Sequence, residues 1–225
     1  MDKSKNSEQK INLNHKNNNN QSEKDEINEI IIELKISDEE KEKEINILCD
    51  KNKLIEDKKR NENYYKENNI NPPKEFNYFN KDNTKLYLND KEIKFNYKIK
   101  FNKIGTYKIK IISNIKLYSL SSMFYNCYNI INIKFIKFNT NNVTNMNSMF
   151  YYCYNLSELD LSSFNTNNVT DMSDMFCYCE NLSELDLLSF NTNNVINMYS
   201  LFNGYKNFNK LIINKLKIKR FKEEI

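Results

Sequence analysis

The chain has 225 residues, 39% of them hydrophobic and 13% aromatic, and a net charge of +4, which is enough apolar content for a core within one or two domains. With only two glycines, Gly105 and Gly204, and one histidine, His15, it excludes a P-loop, a GxGxxG dinucleotide loop and any triad or zinc site that needs a structured histidine. That composition points away from an enzyme, and so small a net charge points away from a nucleic-acid binder.

Residues 1–25 are rich in Asn, Lys and Glu with almost nothing to bury, so a disordered tail is expected. This start lacks the apolar core of a signal peptide, and no later run approaches the ~18 apolar residues of a membrane span. A cytoplasmic chain with reduced cysteines is the resulting expectation.

From residue 26 the pattern changes. NEIIIELKIS, the polar DEEKEKE and INILC read as two strands around a turn, although Ile27, Ile30, Ile31 and Leu34 also fit helical spacing. Lys53 to Asn68 reads as a polar helix or loop, ended by Pro72-Pro73. KLYLND, KEIKFNYKIKF and GTYKIKIIS then alternate apolar residues with lysine: Leu86/Leu88, Ile93/Phe95/Tyr97/Ile99/Phe101 and Tyr107/Ile109/Ile111. Period two predicts strands, with Asn89-Asp90 and Lys103 to Gly105 as turns. Residues 26–118 are therefore expected to form a β-rich N-terminal domain that caps the remainder of the chain.

The remainder is a repeat. Met123–Ser148, Met149–Asp174 and Met175–Ser200 align without a gap at a period of 26 residues, and a fading fourth copy starts at Leu201. Such a period marks units that bury an apolar edge only against their neighbours. Leu156, Leu159 and Leu161 recur as Leu182, Leu185 and Leu187, and as Ile130, Ile133 and Phe135. This LxxLxL run predicts a strand, with Phe138, Phe164 and Phe190 after it. Val143, Met146 and Met149 predict a short helical or 3₁₀ return. The intervening Asn-Thr-Asn-Asn is expected to take left-handed backbone in place of glycine.

LDLSSFNT at Leu159–Thr166 and NVTDMSDMF at Asn168–Phe176 are similar to the units of the BspA-like leucine-rich repeat family. The resemblance covers about residues 119–214, and residues 26–118 resemble the β-rich leader that precedes such repeats in some protist proteins. It implies a binding or adhesion protein, often on cell surfaces, without catalytic residues. The chain departs from that pattern in lacking a secretion signal. The expected fold is α+β/mostly β: a leucine-rich-repeat-type solenoid of about four units (119–225, ending in a basic cap), behind the β-rich domain and the tail.

The candidate sites come from the register. Cys127, Cys153 and Cys179 share the repeat period, which reads as small buried thiols or, alternatively, as a redox or metal ladder. Glu158 and Asp160 flank Leu159, with Glu184 and Asp186 one period on. Like charges at ~5 Å repel by about 0.8 kcal/mol in water, and Lys134 and Lys210 stand in register to offset them. This face is open to three readings: a solvated strand face, a partner-binding face made by Lys134, Glu158, Asp160, Glu184, Asp186 and Lys210, or a calcium site. The basic tail KLKIKRFKEEI reads as a cap folding back, or as a contact for anionic membrane or RNA. Sequons at Asn142, Asn155, Asn168 and Asn181 matter only in a secreted chain. The expected function is a non-enzymatic protein-interaction module without a cofactor, with a surface adhesin as the alternative.

Overall fold

The structure is a computed structural model that describes residues 27–50, 54–55, 59, 62–67, 79–204 and 211–212. The tail at 1–25, Pro72-Pro73, Lys210 and the basic segment after 212 lie outside the described residues.

Ten strands and the helix Glu62–Glu67 are laid out along these segments, with further helical residues at 54–55 and 59. Strand β1 (Asn28–Ile36) alternates cleanly: Ile30, Ile32, Leu34 and Ile36 are buried, while Glu29, Ile31 and Glu33 are half-buried on the other face. Period two of this kind rules out the helical reading of the same isoleucines. Strand β2 (Glu44–Asn46) takes only the start of INILC, whose Ile47, Leu48 and Cys49 are buried outside any strand. Helix α1 (Glu62–Glu67) closes a Glu62–Lys66 ion pair one turn apart.

Strands β3 (Thr84–Leu88) and β4 (Lys91–Ile93) form a hairpin through Asn89 (φ 47°) and Asp90 (φ 67°). Both linking residues are left-handed, as a tight two-residue loop with the native strand twist requires. The expected long strand KEIKFNYKIKF is broken. Its second half becomes β5 (Lys98–Lys100), which leaves the sheet to pair with β2. At the break, the Phe95 and Tyr97 rings meet edge-on at 5.1 Å and the Tyr97 hydroxyl donates to the Phe79 carbonyl at 2.9 Å. Strand β6 (Gly105–Ser113) then returns beside β3, pairing Leu86 with Ile111 and Leu88 with Ile109.

The repeat section adds β7 (Ile130–Lys137), β8 (Glu158–Leu159), β9 (Leu185–Asp186) and β10 (Leu211–Ile212). These correct the expected fold class. Instead of a leucine-rich-repeat-type solenoid, the chain forms a mixed six-stranded sheet in the order β4-β3-β6-β1-β7-β8, and the first repeat strand lies antiparallel to β1. Only β7 and β8 pair in parallel there, through Asn132–Glu158 and Ile133–Leu159. No ladder joins β8 to β9, which pairs with β10 in a separate sheet, so the repeat strands do not close into a coil.

The reason lies in one residue per unit. Asp160 accepts the Ser162 N–H at 2.9 Å and Asp186 accepts the Leu188 N–H at 2.8 Å. Each aspartate turns its own backbone and ends the strand after two residues. Unit one has Lys134 at that position and runs on as a full strand.

Turns join the units. Met146, Ser148, Phe150 and Tyr152 donate their N–H groups forward to the carbonyls of Asp171, Ser173, Met175 and Cys177 at 2.8–3.0 Å. Between them, Met149, Tyr151 and Cys153 donate back to Met146, Ser148 and Phe150. The expected helical return is thus a zigzag of turns, in which alternate N–H groups serve the same unit and the next one. Its left-handed residues are Ser148 and Tyr152, repeated at Ser122 and Asn126, at Asp174 and Tyr178, and at Ser200. No residue of the Asn-Thr-Asn-Asn segments has positive φ. Those asparagines act through side chains, Asn165 reaching Asn141 at 2.7 Å and Asn191 reaching Asn167 at 2.6 Å.

Beneath this run Phe124, Phe150, Phe176 and Phe202 form a row with ring centroids 5.7–5.8 Å apart and planes within 9°, the separation of offset stacking. One apolar core runs from Ile30 through this row to Phe202.

Candidate functional site

The outer face of the sheet carries most of the chemistry that the register predicts. Between β7 and β8 lies an open groove of about 510 Å³. Lys134, Glu158, Asp160 and Glu184 line it, together with the apolar Ile133, Phe135, Ile136 and Leu159. Four of the six expected binding residues are therefore brought together. Asp186 is exposed on β9 outside that lining, and Lys210 lies outside the described residues.

Alternation along β7 and β8 positions these side chains. Ile133 is buried while Lys134 is exposed, and Glu158 and Asp160 are exposed on either side of a half-buried Leu159. That half-burial differs from Leu185, which is 1% exposed, because the groove opens beside Leu159. Asn132 donates its side-chain amide to Glu158 at 3.0 Å and so fixes this carboxylate against β7. The backbone N–H of Ser162, with its hydroxyl, holds the Asp160 carboxyl below the ordinary aspartate range, so Asp160 is ionised at neutral pH. Lys134 stands in register with Asp160, yet among the described residues the two form no ion pair. The groove keeps its charge.

The strand registers across the sheet add residues that sequence reasoning left unassigned. Lys108 pairs with Glu33, Glu33 with Asn132, and Asn132 with Glu158. In the next outward row Lys110 pairs with Ile31 and Ile31 with Lys134. The lysines of GTYKIKIIS thus share the face of the carboxylates, two strands beyond β7. The alternation of that segment signalled exposed lysines; only the antiparallel β1–β7 pairing reveals which charges lie beside them.

The cysteines lie elsewhere. All five are buried, and Cys153 and Cys179 donate to the carbonyls of Phe124 and Phe150 at 3.2 Å. Burial raises both thiols far above their usual range and pushes Cys177 up to about 12. Groups kept so firmly protonated are poor nucleophiles and poor metal ligands. Among the described residues no three His, Cys, Asp or Glu side chains are placed to share a metal ion.

Tyr125, Tyr151, Tyr152, Tyr154 and Tyr178 cluster at one corner of the units, with Tyr125 on Tyr151 at 5.3 Å and Tyr152 on Tyr178 at 4.9 Å. The sequence signal was the run of tyrosines around each period. Among the described residues no helix is long and apolar enough to cross a membrane. No curated protein and no solved structure matches the chain. Residues 118–223, the repeat section with its C-terminal flank, match the family described as "Mycoplasma protein of unknown function, DUF285".

Proposed function

We propose that this chain is a non-enzymatic protein-interaction module of the cytoplasm that holds a basic partner on its outer strand face. The observation that carries this reading is the open groove at β7 and β8, where the carboxylates of Glu158, Asp160 and Glu184 sit beside the half-buried Phe135 and Leu159 and the exposed Ile136. A surface that joins apolar contact to unneutralised charge favours a partner with lysine or arginine beside apolar residues. Because the carboxylates are exposed, salt screens the encounter and binding is salt-sensitive. Cys153 and Cys179, buried thiols that donate to backbone carbonyls, fit a reducing compartment.

The test compares wild type with Glu158→Lys/Asp160→Asn/Glu184→Lys as baits in quantitative pull-downs from the native cell. Asn at 160 keeps an acceptor for the Ser162 N–H, while Lys at 158 gives up the Asn132 amide contact, so a melting curve of each bait first checks that both fold. Loss of the salt-sensitive binders from the variant is expected. Equal capture of every protein by both baits at low salt would overturn the assignment of this face.

A further inference from the structure

We propose that the partner on this face is a second copy of the chain, docked sheet to sheet about a two-fold axis between β1 and β7. This rests on the binding role proposed for the same face and deepens it by naming the occupant.

The order of charges along the registered rows points to this arrangement. A two-fold axis lying parallel to the strands, at the boundary of β1 and β7, sets each strand of one copy over its counterpart across the boundary. Strand β1 then faces β7, and β6 faces β8, while every row stays in its own row. In the first row, Lys108, Glu33, Asn132 and Glu158 are successive neighbours, so Lys108 of one copy faces Glu158 of the other. In the second row, Lys110, Ile31 and Lys134 are successive neighbours, and the exposed Asp160 follows directly on β8, so Lys110 comes to the Asp160 end of the row. In a third, Glu29 pairs with Lys137 across the same boundary, and the operation sets each over the other. Opposite charges meet in all three rows, and Ile31 lies over the aliphatic stem of Lys134 beside the axis.

Those charges are available. Among the described residues Lys108, Lys110, Lys137, Glu29, Glu158 and Asp160 make no ion pair with one another. Lys110 rests over the Tyr87 ring at 5.0 Å, while Glu158 and Asp160 hold their contacts to Asn132 and Ser162. A two-fold interface needs each surface to complement itself, and this face does so because its basic strands and acidic strands lie on opposite sides of one line.

Size sets the strength. Only four strands, β6, β1, β7 and β8, overlap about this axis; at ~4.8 Å spacing and at most nine residues at ~3.4 Å they give a face of no more than about 600 Å², below the ~800 Å² per partner of a standard interface. The dimer is weak and salt-dependent.

Sedimentation equilibrium of the full chain tests this at low and high salt. The acid-to-base variant Glu158→Lys/Asp160→Asn and the base-to-acid variant Lys108→Glu/Lys110→Glu should each be monomeric, with self-affinity reduced by about 100-fold, since like charges now meet between positions 108 and 158 in both and the 110–160 attraction is lost. Mixing the two should restore a 1:1 dimer, because each supplies what the other lacks, and combining all four changes in one chain should restore self-association. Restoration also shows that both variants fold. A wild type that stays monomeric up to about 1 mM overturns the proposal while leaving the pull-down result to decide the binding reading. A wild-type dimer that neither reversal weakens, or reversals that mixing does not rescue, overturns it equally.

Discussion

The thiol of Cys153 donates to the carbonyl of Phe124, one unit before it, and Cys179 repeats the contact to Phe150. The ladder of cysteines therefore tracks the ladder of phenylalanines rather than bonding to itself, and each thiol closes a gap between successive turns. Both groups are fully protonated in the fold because burial raises their pKa values. A thiol-alkylating reagent at pH 8 should leave Cys153 and Cys179 unmodified in the native protein and label them after denaturation, read by mass spectrometry. The same shift gives a sign for alkaline stability. The contribution of these thiols is fully present below the unfolded thiol pKa of about 8.5 and is lost as pH rises from there through the folded values, about 12 for Cys177. Melting temperature should fall above about pH 8.5, less steeply in Cys177→Ser.

Phe150 sits between two parallel neighbours at 5.8 and 5.7 Å and is fully buried. Phe150→Ala removes two stacked contacts and leaves a cavity, which should cost about 3–5 kcal/mol, measured by urea unfolding. Phe150→Leu should recover part of the loss by filling the space without the ring. An alanine variant that unfolds with wild-type energetics would mean that the row is not part of the cooperative core.

Glu40 ties the β1–β2 turn to unit one. Its carboxylate accepts the Ser37 N–H at 2.8 Å and the Asn129 side-chain amide, while Asn129 also donates to the Lys35 carbonyl at 3.2 Å. Burial alone would raise the Glu40 pKa; the hydrogen bonds from Ser37 and Asn129, with the charge of Lys43, outweigh it and hold the group below the ordinary glutamate value. A depressed folded pKa contributes stability that is present above the unfolded value of about 4.3 and lost as pH falls through the folded one. The melting-temperature gap between wild type and Glu40→Gln should therefore be full near neutral pH and close at acid pH. A gap that stays constant down to acid pH would show that the carboxylate charge has no part in this junction.

Much of the N-terminal sheet was legible because apolar residues alternate with lysine along β3 and β6. Leu86, Leu88, Ile109 and Ile111 pair as their period implies, and Asn89-Asp90 makes the turn that its residue types favour. The break at Phe95–Tyr97 was hidden, because its aromatic residues keep the period while the backbone leaves the sheet. In the repeats, the period revealed which residues are equivalent but not the part each one plays. Asp160 looked like an ordinary outward strand residue, and its acceptor role toward Ser162 ends the strand. Nothing local in the sequence shows that β7 joins β1 from the far end of the N-terminal section, and that pairing is what sets Lys108 and Lys110 on the carboxylate face.

The forward hydrogen bonds have a genetic consequence. Each runs to the carbonyl of the residue just before its own equivalent in the next unit, as Ser148 does to Ser173 and Asp174 to Tyr199. A duplication or deletion of one whole 26-residue block leaves every such bond with an equivalent acceptor. Slippage by an odd number of residues exchanges the forward-facing and backward-facing N–H groups. Unequal recombination between copies is thus tolerated in whole blocks, and homologous chains are expected to differ in length by multiples of this unit between Met123 and Ser200.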